Sequence, residues 1–85
     1  MFSVYILKSS RDNKYYIGQT NNLVSRLERH NLGMVKATKG RRPLSLIYSE
    51  VFVTRSAAML KERELKRMKG GDKFKQLLST HAGVV

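Results

Sequence analysis

The sequence predicts a small α+β domain in which helices flank a three-stranded antiparallel sheet, in the element order β-β-α-β-α-α. Two short runs rich in β-branched and aromatic residues lie on either side of a polar turn near the N-terminus, a pattern typical of a hairpin. Later segments repeat apolar residues at helical spacing. With 85 residues the chain is near the small end of what folds alone, so we expect one domain.

The hairpin is predicted from two strands, over residues 2–8 and 14–18, joined by a turn at residues 9–13. Tyr5 lies in the first strand and Tyr16 in the second. Because the loop does not fix the pairing register, the sequence leaves open whether these two rings meet on one face of the sheet.

A helix is predicted next, from about residue 23 to residue 31, after a run of N-cap residues. Arg26 and His30 stand one helical turn apart in it, beside its apolar stripe. A basic loop over residues 34–43 follows, and the third strand is predicted over residues 44–53.

A long helix is predicted from a cap at Thr54 or Ser56 to about Lys69. At 100° per residue, Glu62 falls at the edge of the apolar stripe of this helix, whereas Glu64 falls about 200° away among exposed charges. Glu62 is therefore better placed to face the sheet. The simpler alternative is that either carboxylate only pairs with a neighbouring lysine or arginine.

The C-terminal part begins with a helix break at Gly70 and Gly71. A short last helix is predicted over residues 72–78, and residues 79–85 are predicted to form a flexible tail. The sequence thus divides into a domain at residues 1–78 and a C-terminal tail.

Charge and composition narrow the possible partners. Seventeen Lys and Arg residues against six Asp and Glu residues give a formal net charge of +11, which favours polyanions such as nucleic acid or an acidic membrane. The basic residues are spread over several segments rather than along one amphipathic helix, so we expect no membrane partner. The chain has no cysteine, which excludes disulfides, thiolate zinc sites and cysteine nucleophiles. Since residues 2–7 are too few for a signal core, we expect a cytoplasmic protein.

A phenol pair, two cationic donors and one carboxylate on a chain of charge +11 favour phosphodiester chemistry: Tyr5, Tyr16, Arg26, His30 and Glu62. Each has a simpler interpretation when taken singly. Tyrosines in a small hairpin are usually packing residues with a wet hydroxyl, and an arginine and a histidine on one helix are usually solvated. The combination on a strongly basic chain favours the functional interpretation.

These positions carry a resemblance to a known family. Ser3-Val4-Tyr5 stands where the family has its first motif, with the glycine replaced and the tyrosine kept, and Tyr16-Ile17-Gly18 is a literal second motif. The chain therefore resembles the GIY-YIG endonuclease superfamily, specifically its small stand-alone bacterial group, over residues 2–78. The remaining matching positions are Thr20, Leu23, Arg26, Leu27 and His30 in the first helix and Ala57, Ala58, Glu62 and Lys66 in the long helix.

The resemblance implies three antiparallel strands flanked by helices, with the site on one sheet face. It also implies hydrolysis of nucleic-acid phosphodiesters with a single divalent cation, Mg²⁺ or Mn²⁺, held by Glu62. Two features depart from the family's pattern. The glycine of the first motif is absent, and no asparagine occurs beyond Asn31, although many family nucleases carry one after the glutamate helix.

The chemistry assigns a role to each residue. Hydrolysis needs an activated water and neutralisation of developing charge. Tyr5 is the first candidate for the general base and Tyr16 the second, since a nearby cation favours a phenolate. Arg26 is expected to clamp phosphoryl oxygens, and His30 to orient a tyrosine or relay a proton.

The expected function is that of a metal-dependent endonuclease acting on DNA rather than RNA. Nucleic-acid structure, rather than base sequence, is expected to select the site of cleavage. The alternative is a non-catalytic nucleic-acid-binding module with a degenerate nuclease site; a structural protein of an RNA–protein particle rests on charge alone. A protein partner is a further source of specificity. Five residues are predicted to contact nucleic acid: Lys36, Lys39, Arg41, Arg42 and Lys66. For the loop residues 36–42 the alternative interpretation is a solvated charge run.

Overall fold

The structure, a computed structural model, describes the backbone of residues 1–82 and the side chains of residues 1–79. It contains three strands and three α-helices in the predicted order, which confirms the α+β class. A short 3-10 turn at Lys39–Arg41 interrupts the basic loop. The elements are β1 (Phe2–Ser9), β2 (Tyr15–Thr20), α1 (Leu23–Asn31), β3 (Leu44–Phe52), α2 (Arg55–Met68) and α3 (Asp72–Ala82).

The three strands form one antiparallel sheet in the order β2-β1-β3. Between β1 and β2, Tyr5 lies opposite Gly18 and Leu7 lies opposite Tyr16. Directly paired residues project to the same face of a sheet, and so do residues two apart along a strand. Tyr5, Leu7 and Tyr16 therefore share one face, which settles the register that the sequence left open.

A bulge in β3 changes which of its residues face each way. Ile6 pairs with Tyr48 but the next residue, Leu7, pairs with Leu46, so Ile47 is the extra residue. Leu46 therefore shares a face with Leu7, whereas Tyr48 lies on the other face with Ile6. Alternation along the sequence of β3 does not predict this change of face.

Helices cover the two sheet faces unequally, and each face has its own buried cluster. We call the side covered by α1 the α1 face and the side covered by α2 and α3 the α2 face. On the α1 face Leu23 and Leu27 of α1 pack against Tyr5, Leu7 and Leu44. On the α2 face Ala58, Leu65 and Phe74 pack against Val4, Ile6, Ile17 and Tyr48.

Side-chain caps determine where the helices begin. Asn22 accepts a hydrogen bond from the Ser25 backbone N–H at 3.1 Å and starts α1, and Thr54 accepts one from the Ala57 N–H at 3.2 Å and starts α2. Thr54 is thus the cap of the two candidates. At the other end Gly70 adopts φ +84° directly after α2, a left-handed conformation that costs glycine little.

The last helix is longer than predicted. α3 extends to Ala82, so residues 79–82 of the predicted tail are helical, and residues 83–85 lie outside the described residues. The division into a domain and a flexible tail stays a prediction. In the part of the chain that the structure describes, no helix has the length and apolar character needed to cross a membrane.

Candidate active site

The ring of Tyr5 lies across the neighbouring strand β2, over Gly18. A Cβ atom at Gly18 would stand 2.6 Å from the Tyr5 hydroxyl oxygen and 2.8 Å from Cζ, which is closer than any side chain tolerates. The absence of a side chain at this position lets the Tyr5 hydroxyl reach the edge strand of the sheet. This contact explains why the triplet Tyr16-Ile17-Gly18 ends in glycine.

The Tyr5 hydroxyl meets His30 of α1 in the interior. Tyr5 Oη lies 3.1 Å from His30 Nε2, and His30 Nδ1 lies 2.7 Å from Oγ1 of Thr38. All three residues have 0 % solvent exposure. Thr38 comes from the basic loop and has no counterpart among the residues predicted from sequence. The one available signal is that Thr38 is the only hydroxyl residue in residues 34–43.

Tyr16 completes an aromatic cluster with these residues. Its ring centroid lies 6.3 Å from that of Tyr5 and 4.9 Å from that of His30, in an edge-on arrangement with the imidazole. Unlike Tyr5, Tyr16 is only half-buried. The two predicted tyrosines therefore do come together, and of the two Tyr16 is the one that solvent reaches.

Arg26 places a positive charge beside this cluster. Its Nε donates a long hydrogen bond, 3.5 Å, to Tyr5 Oη, and this contact raises the pKa of Arg26. Burial raises the pKa of Tyr5 and Arg26 opposes that shift. Burial also lowers the pKa of His30, helped by the charges of Arg26 and Arg29. At neutral pH Tyr5 is therefore a neutral phenol and His30 a neutral imidazole.

Glu62 approaches from the other side of the sheet. Its Oε1 accepts a hydrogen bond from Gln19 Nε2 at 3.0 Å, and its Oε2 pairs with Lys66 Nζ at 3.0 Å. Gln19 pairs with Val4 and so projects to the α2 face, where α2 packs, and it directly follows Gly18 along β2. The charge of Glu62 contributes to the raised pKa of Tyr5, after burial and other nearby groups.

The implied arrangement with all site residues on one sheet face is therefore wrong for Glu62. Tyr5, Tyr16, Arg26 and His30 belong to the α1 face, whereas Glu62 belongs to the helix on the α2 face. The two parts lie at adjacent residues of the edge strand, because Tyr5 packs over Gly18 on one face and Gln19 donates to Glu62 on the other.

The Glu62 carboxylate fits a hard, mostly hydrated divalent cation. Mg²⁺ is commonly held by one or two carboxylates and keeps several waters. The Glu62 side chain is 19 % exposed, and it already faces a positive charge at Lys66. It lines a shallow pocket of about 150 Å³ with Met59, Arg63 and Lys66. Among the described residues no group of three or more His, Cys, Asp and Glu side chains offers a more enclosed metal site.

The predicted nucleic-acid contacts differ in how free their charges are. Lys36 and Lys39 are exposed in the basic loop. Arg41 forms an ion pair with Asp12 at 3.2 Å, and Arg42 donates to the Lys39 carbonyl at 3.0 Å. These two arginines hold the loop in place, whereas the side chains of Lys36 and Lys39 are exposed to solvent.

Lys66 is the fifth predicted contact. Its side chain is 57 % exposed, but its ammonium lies on Glu62. The neighbouring carboxylate, Glu64, is 50 % exposed and pairs with Lys61 at 3.7 Å, away from Gln19. Of the two carboxylates, Glu62 is the one that accepts a hydrogen bond from Gln19 of the edge strand β2.

Comparison with known proteins gives consistent matches. The family model described as the GIY-YIG catalytic domain matches residues 1–75. The chain is 43 % identical over 75 residues to a UPF0213 protein of Staphylococcus haemolyticus, covering 87 % of this chain and 90 % of that protein. It is 44 % identical over 77 residues to a UPF0213 protein of Pediococcus pentosaceus, covering 89 % and 80 % respectively.

A solved structure matches as well. The solution NMR structure of a UPF0213 protein from Bacillus halodurans superimposes with a TM-score of 0.63 at 34 % sequence identity. The match covers 98 % of this chain and 88 % of that one. These similarities extend over the strands and helices that carry Tyr5, Tyr16, Arg26, His30 and Glu62.

Proposed function

The chain belongs to the GIY-YIG catalytic domain family of the endonuclease superfamily, and on that premise we propose that it is a divalent-metal-dependent endonuclease that hydrolyses DNA phosphodiester bonds. The strongest support is one spatial relationship. Gly18 lets the Tyr5 ring lie over β2 beside His30 and Arg26, and the next residue of that strand, Gln19, donates to the Glu62 carboxylate. A binding module has no need of a carboxylate at that point of a strongly basic surface.

Tyr16 is the general base in this proposal, which reverses the order expected from sequence. A base must come within about 2.6–3.2 Å of the water that it deprotonates. Tyr5 is fully buried with its oxygen directed at His30 and Arg26, so an attacking water does not reach it. Tyr16 is half-buried in the same cluster and is accessible to water.

Arg26 stabilises negative charge in this arrangement. It interacts electrostatically with both Tyr5 and Tyr16, and its remaining guanidinium N–H groups can donate to a phosphoryl oxygen. The rings of Tyr5 and His30 pack against the ring of Tyr16 and hold its position. A divalent cation bound at Glu62 would neutralise the negative charge that develops on the phosphoryl and leaving oxygens.

Nucleic acid is held by phosphate contacts. Lys36 and Lys39 extend from the basic loop, and Lys66 stands beside Glu62. Such contacts depend on salt and carry no sequence information, so selectivity comes from nucleic-acid shape or from a protein partner. DNA is preferred over RNA in this proposal, and the protein acts in the cytoplasm.

Two observations favour a second candidate, a nucleic-acid-binding module without catalysis. Lys66 already neutralises Glu62, and no asparagine follows the glutamate helix. In that case Glu62 and Lys66 form a structural ion pair, and the protein only binds nucleic acid, through its basic loop.

Cleavage assays separate the two candidates. The wild-type protein is incubated with end-labelled branched, nicked, single-stranded and linear duplex DNA, and with RNA of matched sequence, in Mg²⁺, in Mn²⁺ and in EDTA. The nuclease proposal expects discrete products from at least one DNA substrate only when a divalent cation is present. Retention of all substrates on a gel without any product would support the binding module.

A further inference from the structure

His30 is enclosed by two hydroxyl groups, and only one of them belongs to the family motif positions. Thr38 of the basic loop lies 2.7 Å from Nδ1 on one side of the ring, and Tyr5 lies 3.1 Å from Nε2 on the other. None of the three side chains has measurable solvent exposure. The proposed reaction assigns no role to the Thr38 hydroxyl.

The lengths of the two hydrogen bonds indicate which nitrogen of His30 carries the proton. A neutral imidazole has one N–H donor and one acceptor nitrogen, and burial keeps His30 neutral. An O–H donor forms a shorter hydrogen bond than an N–H donor, so the 2.7 Å contact at Nδ1 fits the Thr38 hydroxyl as donor and the 3.1 Å contact at Nε2 fits an imidazole N–H as donor. Thr38 therefore donates to Nδ1, so the proton of His30 resides on Nε2 and is donated to Tyr5 Oη.

This assignment also orients the Tyr5 hydroxyl. Its oxygen accepts from His30 Nε2–H and, over a longer distance, from Arg26 Nε–H. Tyr5 must then direct its own hydrogen away from His30. In the opposite tautomer Tyr5 would donate to Nε2 and the Nδ1–H would donate to Thr38, which would give the N–H donor the shorter of the two distances.

We propose that Thr38 is a positioning residue for the hydrolysis, because its hydroxyl holds His30 as the Nε2–H tautomer and thereby fixes the Tyr5 hydroxyl and the ring that supports Tyr16. The proposal rests on the nuclease function proposed above. Hydrogen-bond partners of this kind hold the ring orientation and tautomer of functional histidines in many enzymes.

The backbone around Thr38 holds its hydroxyl in place. The Thr38 N–H donates to the Val35 carbonyl at 3.1 Å, and the Thr38 carbonyl accepts from the Arg41 N–H at 2.9 Å. The Arg41 carbonyl in turn accepts from the buried Ser9 hydroxyl of β1 at 2.6 Å. The loop is thus tied to the sheet on the same stretch that presents Lys39 to solvent, and Thr38 connects that loop to the aromatic cluster.

Nitrogen-15 NMR of the imidazole tests the tautomer directly. Long-range ¹H–¹⁵N correlation spectra distinguish an Nε2–H ring from an Nδ1–H ring and from imidazolium, and His30→Gln assigns the His30 signals. At neutral pH the wild-type protein is expected to show the Nε2–H pattern. An Nδ1–H pattern or an imidazolium pattern for His30 would overturn the proposal.

Two substitutions at Thr38 link the tautomer to the reaction. Thr38→Val keeps the shape but removes the hydroxyl, so the His30 spectrum should lose its pure Nε2–H pattern and kcat should fall about 10-fold or more. KM for DNA should stay within about twofold, since the loop lysines are untouched. Thr38→Ser restores a hydroxyl and should restore both the spectrum and most of kcat.

A wild-type spectrum and a wild-type kcat in Thr38→Val would overturn the positioning role. A loss of kcat that Thr38→Ser does not restore would overturn it too, because it would indicate that the methyl group matters rather than the hydroxyl. These outcomes are separable from failure of the proposed function. If the wild-type protein cuts no substrate, the nuclease proposal fails, while the spectra of wild type and Thr38→Val still decide whether Thr38 sets the tautomer.

Discussion

The hydroxyl oxygen of Tyr5 lies 2.6 Å from the position that a Cβ of Gly18 would occupy. This contact links the first strand to the second, one residue before Gln19, which donates to Glu62. A methyl group at Gly18 cannot be accommodated unless the Tyr5 ring moves and gives up its hydrogen bond to His30.

We therefore expect Gly18→Ala to destabilise the fold by about 1–3 kcal/mol, the usual cost of overpacking a core. Cleavage should be lost at the same time, because the displaced ring no longer supports the cluster. Gly40→Ala is the matched control, since nothing lies within 4 Å of a Cβ there. Its stability should stay within about 0.5 kcal/mol of wild type. Urea unfolding measures the stability of each variant. Equal stabilities of Gly18→Ala and Gly40→Ala would contradict the contact between Tyr5 and Gly18.

The two tyrosines should respond differently to replacement by phenylalanine. Tyr16→Phe removes a half-exposed hydroxyl, so stability should change by less than about 0.5 kcal/mol while the cleavage rate falls about 10²-fold or more. Tyr5→Phe leaves the buried His30 N–H without its acceptor, which should cost about 1–3 kcal/mol of stability. Single-turnover cleavage and thermal unfolding report the two effects. If Tyr16→Phe cuts at the wild-type rate, Tyr16 is not the base.

Stability should fall on the acid side because of His30. Burial lowers its pKa in the folded protein, so on acidification the unfolded chain takes up a proton first, near pH about 6.5. In that range the unfolded state binds more protons than the native state, and stability decreases as pH decreases. The decrease begins below about pH 6.5 and continues down to the lower folded pKa.

His30→Gln removes this proton uptake and keeps a polar side chain. Its stability should depend less on pH than that of the wild type over the same range. Urea unfolding at a series of pH values measures the difference. Parallel curves for wild type and His30→Gln would show that His30 is not the group responsible.

Removal of the free charges of the loop should weaken nucleic-acid binding without changing selectivity. Lys36→Ala with Lys39→Ala is expected to reduce affinity about equally for unrelated duplexes and to lower the salt dependence by about two phosphate contacts. Lys73→Ala with Lys75→Ala removes the same charge from exposed positions of α3 on the α2 face and serves as control. Fluorescence anisotropy at several salt concentrations gives the slopes. Identical slopes for both double variants would indicate a field effect rather than contacts of the loop.

The sequence predicted those parts of the structure that depend on local pattern. Strand and helix order follow from periodicity, and Arg26 and His30 lie one turn apart as expected on α1. Convergence of Tyr5 with Tyr16 required the strand register, which a polar loop does not encode. It became fixed by tertiary contacts, including the fit of Tyr5 over Gly18.

Other features depend on contacts between distant segments and leave no periodic signal. The partnership of Thr38 with His30 crosses from a loop to a helix, and the bulge at Ile47 redirects β3 by one residue. The charge run of residues 34–43 gave no indication that Arg41 is engaged by Asp12. Helical phase placed Glu62 at the edge of the apolar stripe, but it did not show that α2 lies on the opposite sheet face.

The central claim is that Glu62 supplies the carboxylate for metal-dependent cleavage, and Glu62→Gln against Glu64→Gln tests it most directly. Both substitutions remove one charge from the same helix, but only Glu62 contacts Gln19 at the sheet edge, whereas Glu64 pairs with Lys61. In Mg²⁺, Glu62→Gln should bind DNA at least as tightly as wild type and give no product, and Glu64→Gln should cut normally. Wild-type cleavage by Glu62→Gln would contradict the account.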